Sequence, residues 1–100
     1  MEQYILKSDL VAEIKSRISN IEVSQKAGLI KKRSAEAKIS LFKSILSLLN
    51  TIEVKDVNLI IHTIISECCD WLAMNTNLSH DEIEGCRNLM LTVKEEQLKV

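Results

Sequence analysis

Between Asn58 and Asn75 the sequence NLIIHTIISECCDWLAMN separates apolar from polar residues by angle around a helix. At roughly 100° per residue, Ile60, Ile61, Ile64, Ile65, Cys68, Cys69, Trp71 and Leu72 fall on one half of the wheel, and His62, Thr63, Ser66, Glu67 and Asp70 on the other. No alternation of period two survives in the same window, so a strand is excluded. A chain built around this segment must bury one helical face against other elements. The remaining composition agrees: no proline, and only Gly28 and Gly85 as glycines, leave little material for tight strand turns. The expected fold is all-α, a small irregular four-helix bundle with short extended connectors, formed as one domain over residues 1–100. With one Trp, one Tyr and one Phe, its core must be aliphatic.

From the start of the chain, Tyr4 to Lys7 reads as an extended lead-in and Ser8 as the cap of a first helix, with Asp9 in its first turn. Leu10, Val11, Ile14, Ile18 and Ile21 form its apolar stripe, Glu13 and Arg17 an i,i+4 pair, and Lys26 with Gly28 its stop signal. A second helix is expected from a cap at Ser34 to about Asn50. Its apolar arc takes in Ala35, Ala37, Ile39, Leu41, Phe42, Ile45, Leu46, Leu48 and Leu49, wide enough to require two neighbours or a second subunit. Thr51 to Val57 alternates apolar and polar as an extended connector or short strand, and Asn58 is expected to cap the central helix. Ser79 and Glu82 form a capping box, with Leu78 and Ile83 as its hydrophobic staple. The helix that follows buries Ile83, Cys86, Leu89, Met90 and Val93 and is expected to fray at its end. Gly85 inside it costs ~1 kcal/mol relative to alanine and would be explained by a closely crossing helix.

Few features bear on chemistry. Cys68, Cys69, Cys86, His62 and His80 are the residue types of a zinc site, but no CxxC occurs and adjacent helical cysteines point apart, so no metal is expected. Cys68 falls in mid-stripe and Cys69 at its edge, where thiols act as small hydrophobes. Glu67 and Asp70 form an i,i+3 carboxylate pair of the kind usually solvated. The chain has no glycine-rich phosphate loop, no GxSxG and no HExxH, and the reading is a non-enzymatic protein without a cofactor. Glu67 and Asp70 also interrupt the best candidate membrane span. Three cysteines without a secretory leader point to a reducing, cytoplasmic setting.

Charge is the more informative feature. Residues 1–50 carry nine Lys/Arg against five Asp/Glu, and residues 51–100 four against nine. Over the eighteen residues 26–43, Lys26, Lys31, Lys32, Arg33, Lys38 and Lys43 are opposed only by Glu36. Phosphate contacts need such density, and a helix start nearby would strengthen it. No aromatic residue interleaves, so stacking on single-stranded bases is unsupported. A solvated basic face accounts for the same run. Beside it, Ser40, Ser44 and Ser47 make a small hydroxylic face on the second helix, suited to close approach of a partner or to plain solvation.

Two blocks carry a resemblance. KSxLVAEIxxRI, residues Lys7 to Ile18, and Leu46-x-x-Leu49-Asn50-Thr51-Ile52-Glu53-Val54-Lys55-Asp56-Val57-Asn58-Leu59 together resemble small uncharacterised proteins of phages and mobile elements of gut-type bacteria, which share the first block and a central LxFxxTLEVKEVDLE. Leu48 and Leu49 stand near the phenylalanine position of those proteins, Asn58 replaces an aspartate, and their aromatic C-terminal block is matched poorly by Gly85 to Leu91. The resemblance implies a setting and no catalytic residues: accessory proteins of such elements often bind and disable a host macromolecule, anti-CRISPR inhibitors of RNA-guided nucleases among them. The expectation is therefore an interaction protein with a protein or ribonucleoprotein partner, docking through the basic run and the second helix. Direct binding of RNA or DNA through residues 26–43, and a homodimeric structural role, are the alternatives.

Overall fold

The computed structural model describes residues 2–100 and contains four helices: α1 (Lys7–Lys26), α2 (Lys32–Asn50), α3 (Ile61–Asn75) and α4 (His80–Gln97). Each packs on the next in sequence, α4 returns to α1, and α2 also meets α4 across the middle, whereas the backbones of α1 and α3 do not come close. The wide apolar arc of α2 thus finds three neighbours. Ala35, Ala37, Leu41, Phe42, Ile45 and Leu49 are buried, with Ile39, Leu46 and Leu48 partly covered around them.

The helix boundaries show which local signals govern. The capping box is formed: the Ser79 hydroxyl accepts from the Glu82 N–H at 3.1 Å and the Glu82 carboxylate from the Ser79 N–H at 3.0 Å. Helix α1 ends as its lysine and glycine predict. The Gly28 N–H donates to Gln25 O and the Leu29 N–H to Ser24 O, with Gly28 at φ 77°, the left-handed closure in which glycine pays no Cβ penalty.

The other three expected caps are not used. Helix α1 starts at Lys7, before Ser8, because Leu6 and Lys7 are pinned to the α2–α3 connector, the Lys7 N–H donating to Lys55 O at 2.7 Å. Helix α2 starts at Lys32, before Ser34, with Lys31 at the N-cap. Asn58 instead lies in the turn before α3, its side chain donating to Gln3 O at 3.0 Å, and α3 begins at Ile61.

Three extended pieces close one end of the bundle. Tyr4 pairs with Lys99 and Leu6 with Asp56 in isolated antiparallel bridges, with no strand among the described residues. The end of α4 is therefore tied down through Lys99 rather than frayed. Ile5 and Val57, whose backbones hydrogen-bond at 2.9 Å, are fully buried beneath these bridges.

Two core assignments also change. Cys69 is as buried as Cys68, because α3 packs on α2 through one side of its apolar face and on α4 through the other. Trp71, placed by its angle on the buried half, is 52% exposed. The α2 side chains opposite it are Ser44 and Ser47, too short to cover an indole. Gly85 is also exposed, and a Cβ added there would meet nothing within 4 Å, so no close helix crossing explains it.

Candidate functional site

The basic run lies across the turn from α1 into α2. Lys31 is the N-cap of α2 and Lys32 and Arg33 its first helical residues, at the positive end of the helix dipole. This helix has no acidic residue in its first turn and no side-chain cap, the reverse of α4 with Asp81, Glu82 and a capping box. The local choice of residues is unfavourable to the helix, and such conflicts concentrate where sequence serves something other than folding.

The six cations have different surroundings. Arg33 is engaged: Nε donates to Glu82 Oε2 at 2.6 Å, Nη2 to Glu82 Oε1 at 3.0 Å, and Nη2 also to Asn77 O at 2.9 Å. Bidentate pairing with Arg33, helped by the Ser79 N–H, pulls the Glu82 carboxyl down to about 2 and raises the Arg33 guanidinium. This clamp joins the start of α2 to the start of α4, so acidic residues of the C-terminal half come to the basic end and partly offset it. Lys38 is half-buried and borders two cavities. One, of about 320 Å³, is shared with Arg17, Asn20, Ser24 and Leu89; the other, of about 270 Å³, with Asp81, Glu82 and Cys86. Lys26, Lys31, Lys32 and Lys43 are exposed, and only Lys32 has an ionic neighbour among the described residues, Glu36 at 3.9 Å with both side chains in solvent. Lys26, Lys31 and Lys32 thus form an accessible cationic end, with Lys43 three turns along α2.

The serine face follows the seam between α2 and α3. Ser40 borders a cavity of about 190 Å³ with Arg33, Glu36, Ala37, Thr76, Asn77 and Leu78. One turn on, Ser44 and Ser47 border an open groove of about 410 Å³ with Leu48, Glu67, Cys68 and Trp71. The Ser44 hydroxyl donates to Ser40 O at 2.9 Å and is occupied within its own helix. The groove is therefore an apolar hollow between two helices, with the indole on its rim.

The cysteines and histidines separate. Burial pushes the Cys68 thiol up to about 11 and raises that of Cys86, so both stay protonated at neutral pH. Cys69 lies beside Arg87, whose guanidinium it raises, in a cavity of about 310 Å³ that His80 and Glu84 also border. Among the described residues no three His, Cys, Asp or Glu side chains gather as a metal would require. His62 is on the far side of α3, where its Nε2 lies 2.8 Å from Nζ of Lys94, the one buried charged residue described. Glu67 and Asp70 are both exposed. No helix among the described residues is long and apolar enough to cross a membrane.

No protein-family model, curated protein or solved structure matches the chain. The sequence pointed to Lys26, Lys31, Lys32 and Arg33, and the short link brings them to one end. The Glu82 partner of Arg33 and the exposure of Trp71 were missed. The signal for Trp71 was present: an indole at the edge of its arc, facing a helix whose nearest residues include Ser44 and Ser47.

Proposed function

We propose that this chain is a small interaction protein that binds and disables a host macromolecule through the cationic end formed by Lys26, Lys31 and Lys32, with Lys38 and Lys43 extending it along α2. The observation that carries this reading is the start of α2, where cations crowd a positive helix end that carries no acidic residue of its own. An anionic partner surface would relieve that conflict, because phosphates and carboxylates are favoured at the same place. The resemblance to phage and mobile-element proteins supports a host target, and an RNA-guided nuclease complex has the required anionic character. Direct binding to RNA or DNA uses the same residues and differs in its steep dependence on salt.

The test is Lys31→Glu with Lys32→Glu in one chain, leaving Arg33 in its clamp. Immobilised wild-type protein is expected to retain a partner from bacterial host lysate, and the variant to retain about tenfold less at low salt. Retention that survives nuclease treatment identifies a protein partner, and retention lost with it a nucleic acid. Equal retention by a correctly folded variant would reduce the cationic end to a solvated surface.

A further inference from the structure

The groove between α2 and α3 carries, side by side, a projection and a hollow of opposite shape. Trp71 stands 52% exposed on the α3 rim and Met74, one turn further, is 84% exposed. On the α2 side Ser44 and Ser47 leave the hollow open, with Leu48 and Cys68 also bordering it. The flanking charges are opposite as well: Lys43 precedes Ser44 on the outer arc of α2, and Glu67 precedes Trp71 by one turn on α3.

We propose that this face binds a second copy of the chain. Because α2 and α3 run antiparallel, with Ser44, Ser47 and Leu48 level with Glu67, Cys68 and Trp71, a two-fold axis along the groove lays α2 of each copy over α3 of the other. That operation seats each Trp71 in the hollow at Ser44 and Ser47 of its partner and brings each Lys43 towards the partner's Glu67. Both matches come from one operation, which an arbitrary surface would not provide. Tryptophan is the residue most enriched among those that dominate interface energetics, and the contact removes from water the largest exposed side chain on the molecule. The face is about 22 Å long, set by the 15 residues of α3, and about 20 Å wide across two helices, a footprint of about 440 Å² per copy that belongs to the weak, concentration-dependent class of interface. The axis runs along the helices, so the cationic ends of the two copies lie at the same end of the pair. The inference stands independently of what Lys26, Lys31 and Lys32 bind, and it assigns Lys43 to the contact between copies rather than to that partner.

Sedimentation equilibrium of the full chain across a concentration series, without any partner, is expected to pass from monomer to dimer. Trp71 is the only tryptophan, so its emission should shift to the blue over the same range. Trp71→Ala, at a half-exposed position that leaves the monomer folded by circular dichroism, should weaken the dimer at least about tenfold. Lys43→Glu and Glu67→Lys should each weaken it about fivefold, and together restore it to within about twofold. A wild-type chain that stays monomeric with unshifted emission overturns the proposal, as does a dimer that Trp71→Ala leaves intact. Single charge variants that weaken association without rescue in the double overturn the two-fold arrangement.

Discussion

Glu82 carries two tasks with one carboxylate, closing the capping box through Ser79 and holding Arg33 from the opposite helix. Both contacts favour the ionised form, which is why its pKa falls from an ordinary 4.5 to about 2. Since the folded value lies below the unfolded one, the unfolded chain takes up the proton first. The stabilisation is complete above about pH 4.5 and is lost as pH falls towards 2. The pair is exposed and weakens with salt. An NMR titration of the Glu82 carboxyl should show its midpoint near 2 in the wild type, and Arg33→Ala should return it most of the way to 4.5. An unmoved midpoint would mean that the Ser79 N–H alone sets it. Lys94 is a buried cation between two partners, its Nζ 2.8 Å from His62 Nε2 on the facing helix and 3.4 Å from Glu95 Oε1 on its own. Its long apolar stem is buried with the head group, leaving the residue 7% exposed.

At the level of elements, the two glycines answer to different physics. Gly28 holds φ 77° at the end of α1, where any side chain is strained, so Gly28→Ala should cost about 1 kcal/mol. Gly85 lies inside α4, exposed and with open space around it, so Gly85→Ala should stabilise by about 0.5–1 kcal/mol. Urea midpoints that move in opposite directions verify the pair, and a destabilised Gly85→Ala would reveal a contact at that surface. All four helices were legible because each carries a stripe of period 3.6 and α4 carries a complete box of two reciprocal bonds. Their starts were less so. Ser8, Ser34 and Asn58 are good caps by residue type, but the Lys7 and Lys55 pairing, the Arg33 clamp and the Asn58 to Gln3 bond are long-range contacts that no local pattern encodes. The candidate site divides in the same way. The cationic run was legible because it is contiguous in sequence, whereas the groove at Trp71 depends on which residues of α2 face α3.

For the whole molecule, the feature only half legible in the sequence is the closure of one end by three extended pieces: Tyr4 to Lys7 and Thr51 to Val57 read as extended, but nothing local pairs them with each other or with the tail after α4. The N-terminal segment lies between the α2–α3 connector and the tail after α4. The Ile5 N–H donates to Asp56 Oδ1 at 3.0 Å, the Val57 N–H to Ile5 O at 2.9 Å, and Tyr4 and Lys99 exchange backbone bonds at 2.9 Å. Asp9 adds an ion pair to Lys99, and the carboxyl of Asp56, accepting from the Ile5 and Asn58 N–H groups, is lowered below its ordinary value. These bridges are too short to be strands, so their strength must come from what they bury. Ile5 is fully buried, while Leu59, two residues past Val57 on the same connection, is 92% exposed. Ile5→Ala should therefore cost about 2–5 kcal/mol by denaturant unfolding, the range for truncating a buried isoleucine, and Leu59→Ala less than about 0.5 kcal/mol. If the closure is part of the cooperative unit, the amides of Ile5, Val57 and Lys99 exchange with solvent only by global unfolding, and Ile5→Ala lowers the protection of the α2 core by the same free energy as it lowers overall stability. Fast exchange at all three amides, with Ile5→Ala costing under about 1 kcal/mol, would make the closure a loose appendage to a bundle that holds itself together.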